Sequence, residues 1–283
     1  MRVREHTDPS GFNRQILPLL LEHECENCIQ LGILGRLVEG KSQPAPGDGP
    51  PLLLSVDDGD KPVSAAIQTR PHAILVSRCE PEAADALLNE LARRKWNGLG
   101  VVAPVPTIDD LERRWSQWSG RPARLFRALR AFQTTRVIEP PALPGALRQA
   151  VESDIPLVTK WFAGFARDIN EPADDRPDIA RRGIDESRVY LWVDDQPRAM
   201  IAWAGPTPNG IRVNQVYTPP EFRGRGYATS ATAALTRQLL ATRRFCFLFT
   251  DLANPTSNAI YQRIGYEPVA DLRHVSFDHG AAE

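Results

Sequence analysis

Cysteine is scarce. Four in 283 residues, unevenly spread, do not make a disulfide framework, so a reducing cytoplasm is the expected compartment. An excess of one charge is missing too. The 34 Lys and Arg against 35 Asp and Glu leave a formal net charge of −1, and no global basic field recruits nucleic acid or an anionic membrane. Long apolar runs are absent near the N-terminus. Ile16 to Leu21 is followed at once by Glu22, His23 and Glu24, which suits neither a signal-peptide core nor a membrane span. Metal-ligand spacing is incomplete. Cys25 and Cys28 form a Cys-x-x-Cys, but Cys79 and Cys246 stand alone and cannot complete a zinc set. Cys25 and Cys28 therefore read as small apolar residues of a helix, and Cys246, inside a strand pattern, as core. No metal is expected.

What is present is an ordinary globular composition, 42% hydrophobic and 24% charged, long enough for one large domain or two modest ones. Residues 41–51 and 139–145 are rich in Pro and Gly and read as breaks. The second divides the chain nearly in half, giving domains 1–139 and 140–283. In the C-terminal half a strand at Leu147–Val151 precedes a helix from Ile155, with Ser153 and Asp154 offering an N-cap. Another helix covers about Asp178–Ser187. A hairpin joins Val189–Val193 to Arg198–Ala204, and Asn209-Gly210 leads into a strand over Ile211–Tyr217. A glycine turn opens a helix over Ala228–Leu240, then a strand at Phe245–Thr250, a helix at Pro255–Ile264 ended by Gly265, and strands near Glu267–Val269 and Arg273–Phe277. The N-terminal half follows the same order. A helix over about Ile16–Leu37 leads to a hairpin of Leu52–Val56 and Val63–Gln68. Then come a strand at His72–Ser77, a helix at Glu82–Arg94, a strand at Val101–Pro104, a helix at Thr107–Trp118 and an extended Leu125–Val137. Val-Asp-Asp enters the hairpin turn in both halves, at 56–58 and 193–195. The shared order reads as a diverged tandem repeat. Trp115 and Trp118 read as core or domain-interface residues.

Two segments carry chemistry. The first is Val216-Tyr217-Thr218-Pro219-Pro220-Glu221-Phe222-Arg223-Gly224-Arg225-Gly226-Tyr227-Ala228, between a strand and a helix. Glycines let backbone N–H groups converge on a ligand, and the helix points its positive end at the same spot, which suits a pyrophosphate. Gly-Lys-Ser/Thr and a third glycine are absent, so it is neither a Walker loop nor a Rossmann turn. The second is Asn254-x-x-x-Asn258-x-x-Tyr261, which lies on one helix face and is followed by Gly265-Tyr266. A tyrosine hydroxyl there can serve as a general acid.

Together the two segments resemble the GNAT N-acetyltransferase superfamily. Arg223-x-x-Gly226-x-Ala228 matches its pyrophosphate loop, and the Asn-x-x-x-Asn-x-x-Tyr helix and the following Gly-Tyr match as well. The resemblance implies an α/β fold of α+β type, with two GNAT-like domains, each a mixed, mostly antiparallel sheet flanked by helices. It implies acetyl-CoA as cosubstrate, with the pantetheine along the strand ending at Val216 and Tyr217, and the backbone near Val216 receiving the thioester oxygen. The backbone from Thr218 and Arg223 through Gly224, Arg225, Gly226 and Tyr227 to Ala228 would meet the cofactor. Asn254 and Asn258 would line the cofactor arm, and Tyr261 would act as general acid.

A neutral amine would attack the thioester directly. No single base stands out: Asn214 could only position a water, and Glu186 and Asp251 are carboxylate candidates by location. In the N-terminal half the corresponding turn is Ser77-Arg78-Cys79-Glu80-Pro81-Glu82, without glycine and with two carboxylates, so no CoA site is expected there. The rival readings are a non-catalytic acyl-CoA-binding module and an acyltransferase for a longer chain. The expected acceptor is a small-molecule amine or a peptide, with no nucleic-acid or membrane partner, and the protein a monomer or homodimer. The acidic loop Glu171 to Asp178 reads as solvated.

Overall fold

The computed structural model describes residues 1–41, 49–96, 98–172 and 176–277. Most of the break at 41–51, and the middle of the acidic loop Glu171 to Asp178, lie outside the described residues. The chain forms two compact units. One contains Met1–Ala131, Thr250–Ala253 and the residues from Val269 onward; the other contains Phe132–Phe249 and Asn254–Pro268. A single cut at 139/140 therefore does not describe the division, because the C-terminal strand returns to the first unit.

In the first unit, β1 (Arg2–Glu5), β2 (Leu52–Asp58), β3 (Lys61–Gln68), β4 (Ile74–Val76) and β5 (Val101–Pro104) lie side by side in that order. Neighbours are antiparallel except β4 and β5, which run parallel across the helical connection between them. Beyond β5 lies β12 (Glu267–Phe277), antiparallel, with Leu272–Val275 opposite Val101–Pro104. One face is covered by α1 (Pro9–Glu22) and α2 (Cys28–Val38), whose Phe12, Ile16, Leu20, Leu31 and Leu34 bury Leu53, Ala65 and Ile67. The other is covered by α3 (Pro81–Arg93) and α4 (Val105–Ser119). Asp8 starts α1 by accepting the N–H groups of Ser10 and Gly11 at 2.9 and 2.8 Å. Gly120, at φ 66°, ends α4.

The helix expected over Ile16–Leu37 is two helices. The chain breaks after Glu22, and the Asn27 side-chain amide donates to the Leu20 carbonyl, one of the orphan acceptors of the helix end. β1 had no counterpart among the expected elements: its mixed charges alternate too weakly to read as a strand. β6 (Ala123–Thr134) begins in the first unit and ends in the second.

The second unit repeats the order. β7 (Ala146–Gln149), β8 (Val189–Asp194), β9 (Gln196–Ala204) and β10 (Gly210–Tyr217) are successive antiparallel neighbours, and β11 (Phe245–Asp251) follows β10 in parallel. On one face, α5 (Ile155–Asp168) and α6 (Pro177–Asp185) cover Val189, Leu191, Met200 and Ala202. On the other, α7 (Tyr227–Leu240) and α8 (Pro255–Arg263) cover Ala199, Ile201, Ile211 and Val213. Asp154 does not cap α5. Its carboxylate instead takes both arms of Arg148, at 2.6 and 2.9 Å, and the Val151 N–H at 2.8 Å. No described helix is long and apolar enough to cross a membrane.

Candidate active site

Every element of the candidate site belongs to the second unit. β10 pairs with β9 along its length, but a bulge falls between Asn214 and Tyr217, with Gln215 at φ 50°. With β11 the register covers only Gly210–Arg212 against Phe245–Phe247 among the described residues. The two parallel strands thus share one end and lose register toward Tyr217. A strand edge without a ladder offers its N–H and C=O groups to an extended ligand, and the bulge re-aims the side chains. Val216 packs against the cluster on the α7 and α8 side, whereas Tyr217 turns to the α5 side. There its ring lies 6.2 Å from that of Trp161. A Cβ on Gly164 would stand 2.4 Å from the Tyr217 hydroxyl, so a glycine on α5 is what admits this ring.

The chain then makes the expected turn. Gly224 and Gly226 have φ of 76° and 88°, left-handed values that favour glycine. The bend is open: a Cβ on Gly224 would meet nothing within 4 Å, and one on Gly226 only Leu143 Cδ2 at 4.0 Å. Glu221 and Arg223–Gly226 are exposed. Gly226 is the N-cap of α7 and has no side chain to cap it, and the Ser230 N–H is bonded back to the Gly226 carbonyl at 3.0 Å. The amides of Tyr227, Ala228 and Thr229 belong to the first turn, which lacks intrahelical partners. An open glycine turn of this kind, at the positive end of a helix, has the geometry of a cradle that can receive an anion.

The cradle is braced by side chains. Tyr227 donates its hydroxyl to Asp194 at 2.9 Å, which, with burial, raises the phenol pKa. Arg198 lies over the Phe222 ring at 4.6 Å and donates to the Asp194 carbonyl. Arg223 donates through Nε to the Thr218 carbonyl at 2.9 Å, pairs through Nη2 with Asp168 at 2.5 Å, and lies 6.0 Å from the Tyr217 ring. Tyr217 and Tyr227 therefore spend their side chains on packing and bracing, and only their backbones remain for a ligand. Thr218 Oγ1 is buried and has no hydrogen-bond partner among the described residues.

α8 carries the second motif from surface to interior. Asn254 is exposed, Asn258 half-buried and Tyr261 9% exposed. The helix ends as Gly265 implies: Tyr266 N–H bonds Tyr261 C=O at 3.0 Å and Gly265 N–H bonds Gln262 C=O at 3.1 Å, with Gly265 at φ 100°. A Cβ there would lie 2.9 Å from the Arg136 carbonyl, a second reason for glycine. Tyr261 sits in the same apolar cluster as Ile211, Val213 and Tyr227, with Val216 packed against it. Burial pushes its phenol up to about 12. Tyr266, 6.0 Å away, is fully buried and bonded to Thr236 at 2.7 Å.

The base candidates are occupied or modest. Glu186 pairs with Arg188 at 2.6 Å, and Asp251, which belongs to the first unit, accepts the Ala253 N–H at 2.8 Å. Asn214 is half-buried opposite Ala202. Asp168, Asp194 and Leu143 are site neighbours that sequence reasoning did not pick out. Asp194 had a signal in its place at the hairpin turn, but nothing in the sequence connects Asp168 to Arg223. Among the described residues, no group of three His, Cys, Asp or Glu is placed to hold a metal ion.

The corresponding turn of the first unit differs. The Cys79 amide donates to Thr107 Oγ1 at 3.0 Å, α3 opens on Pro81, which has no N–H, and Arg78 is held by Glu26 at 2.7 Å.

The FR47-like protein family matches residues 192–275. No curated protein matches the chain. Three solved structures are similar in fold over nearly the whole chain. A GNAT-family acetyltransferase from Colwellia psychrerythraea is 11% identical, covering 98% of this chain and 100% of its own, with a TM-score of 0.56. A GCN5-related N-acetyltransferase from Sphaerobacter thermophilus is 13% identical over 96% and 94%, with a TM-score of 0.60. A tandem GNAT protein from the clavulanic acid biosynthesis pathway is 14% identical over 100% of both chains, with a TM-score of 0.59.

Proposed function

From its fold and from the family match over residues 192–275, we propose that the chain is a GNAT-superfamily enzyme and that it transfers an acetyl group from acetyl-CoA to a primary amine. The observation that carries this reading is the open, glycine-lined cradle of Gly224–Ala228. It stands at the end of a strand that has lost register with its parallel neighbour, and the cluster packed behind that strand contains a buried phenol.

In this reading the backbone amides of Arg223 to Ala228 hold the diphosphate. The edge of β10 from Val216 to Thr218 pairs with the pantetheine arm, and Asn254 and Asn258 line it. A backbone N–H near Val216 receives the developing oxyanion. A primary amine, deprotonated from a pKa near 10.4, attacks the carbonyl carbon; the C–N bond forms and the C–S bond breaks. The ammonium proton goes to water before attack. Tyr261 hydrogen-bonds the departing sulfur and gives it a proton, and the proton that the nitrogen loses as the amide forms returns through water to the Tyr261 phenolate. A phenol is a weaker acid than a thiol by about 1.5 units in model compounds, and burial weakens it further. It therefore remains protonated through the working range and acts when negative charge builds on sulfur. The acceptor is a small-molecule amine or a peptide.

In this reading the first unit binds no cofactor. Its occupied Cys79 amide, its proline at the helix start and its Glu26–Arg78 pair support this. Titration calorimetry with CoA, together with thiol release from acetyl-CoA across a panel of amines, tests the proposal. One CoA per chain and amine-dependent thiol release are expected. Tight CoA binding without turnover on any amine would favour a non-catalytic acyl-CoA module, and no affinity for CoA would sink the reading.

A further inference from the structure

The same ion pair occurs in both units, between the helices that follow the first strand and the turn that opens the later helix. In the first unit Arg78 of the turn before α3 is paired with Glu26, just ahead of α2, at 2.7 Å. In the second, Arg223 of the turn before α7 is paired with Asp168, the last residue of α5, at 2.5 Å. The settings are opposite. The Glu26 side chain is 4% exposed and lies at the N-terminal side of α2, where the helix macrodipole favours a carboxylate. Asp168 is 44% exposed and sits at the C-terminal end of α5, where the macrodipole disfavours it. The two arginines are about equally exposed, but one carboxylate is buried and supported by its helix, whereas the other is solvated and opposed by its helix.

We propose that Asp168 is an internal competitor for the diphosphate: it holds Arg223 in the empty protein and yields it when the anion enters the Gly224–Ala228 cradle. This rests on the reading of that cradle as the CoA diphosphate site. An exposed ion pair is weak and screened, whereas a diphosphate brings two charges to amides beside the Arg223 backbone. Binding of the cofactor then frees the end of α5, whose Gly164 also carries the Tyr217 ring under the Arg223 guanidinium. Asp168 is a positioning residue and touches no substrate.

Asp168→Asn tests this in the full-length protein by calorimetry with CoA and with pantetheine, which lacks the diphosphate. Removing one exposed ion pair is expected to tighten CoA about two- to fivefold while leaving pantetheine unchanged. In an Arg223→Gln background the same substitution is expected to change nothing. Melting temperatures of both variants near that of the parent check the fold. If the parent binds CoA but Asp168→Asn binds it equally or more weakly, the inference fails while the cofactor reading stands. If the tightening persists without Arg223, the inference also fails. If the parent binds no CoA, both fall together.

Discussion

In the proposed reaction, Tyr261 is the side chain most exposed to a single substitution. General acids of this kind contribute about 10²- to 10⁴-fold, so Tyr261→Phe is expected to lower kcat by that order. Its effect on CoA affinity should be small, because the ring stays and only the hydroxyl goes; steady-state kinetics and calorimetry separate the two. Stability gives an independent check. Burial raises the phenol from its ordinary 10 to about 12. The folded protein therefore binds this proton more tightly than the unfolded chain does. The resulting stability is fully present below about pH 10 and is lost as pH climbs toward about 12. Tyr261→Phe should flatten the alkaline limb of a denaturation curve in that window; an unchanged limb would mean the phenol is not buried as described. The motif that holds Tyr261 was legible because Asn254, Asn258 and Tyr261 are spaced for one face and Gly265 stops the helix. The partners of the bracing residues were not. Arg223 meets Asp168 and Tyr227 meets Asp194 across separations that no local period encodes.

At the level of the element, the turn into α7 combines two demands on Gly226: a left-handed backbone and amides aimed outward. Gly226→Ala has room for its methyl, so its cost is the backbone term alone, about 1–2 kcal/mol. Gly205, at φ 52° and with nothing within 4 Å, is the control, since it has the same strain away from the cradle. Both alanine variants should lose similar stability in urea denaturation. Only Gly226→Ala should raise KM for acetyl-CoA, and equal KM effects would argue against the cradle. Helices and the strands between them were largely readable, since Val101–Pro104 and the stops at Gly120 and Gly265 follow from pattern and turn chemistry. The division of α1 from α2 was not, because Glu24, Glu26 and Asn27 are buried without being apolar; Asn27 is satisfied by the Leu20 carbonyl, and Glu26 by the distant Arg78.

Across the whole molecule, the order of elements repeats, yet the two halves of the sequence are not the two units. β12 pairs with β5, joining Val101 to Val275, and buries Val275 and Phe277 in the core formed with α3 and α4. Removal of residues from 269 onward should therefore destabilise the first unit. Limited proteolysis is expected to cut first within residues 1–131 of the shortened chain. A fragment of residues 1–139 that melted cooperatively as a monomer would contradict this. Alternating hydrophobicity could mark β12 as a strand, but not whose neighbour it is, since pairing partners so distant leave no local trace.

That pairing sets a schedule for synthesis. At 5–20 residues per second, the ribosome adds Val275 roughly 10–35 s after Val101. Until then β5 has an unpaired edge, open to a neighbouring nascent chain or to a chaperone. The half of the gene read first is thus finished last.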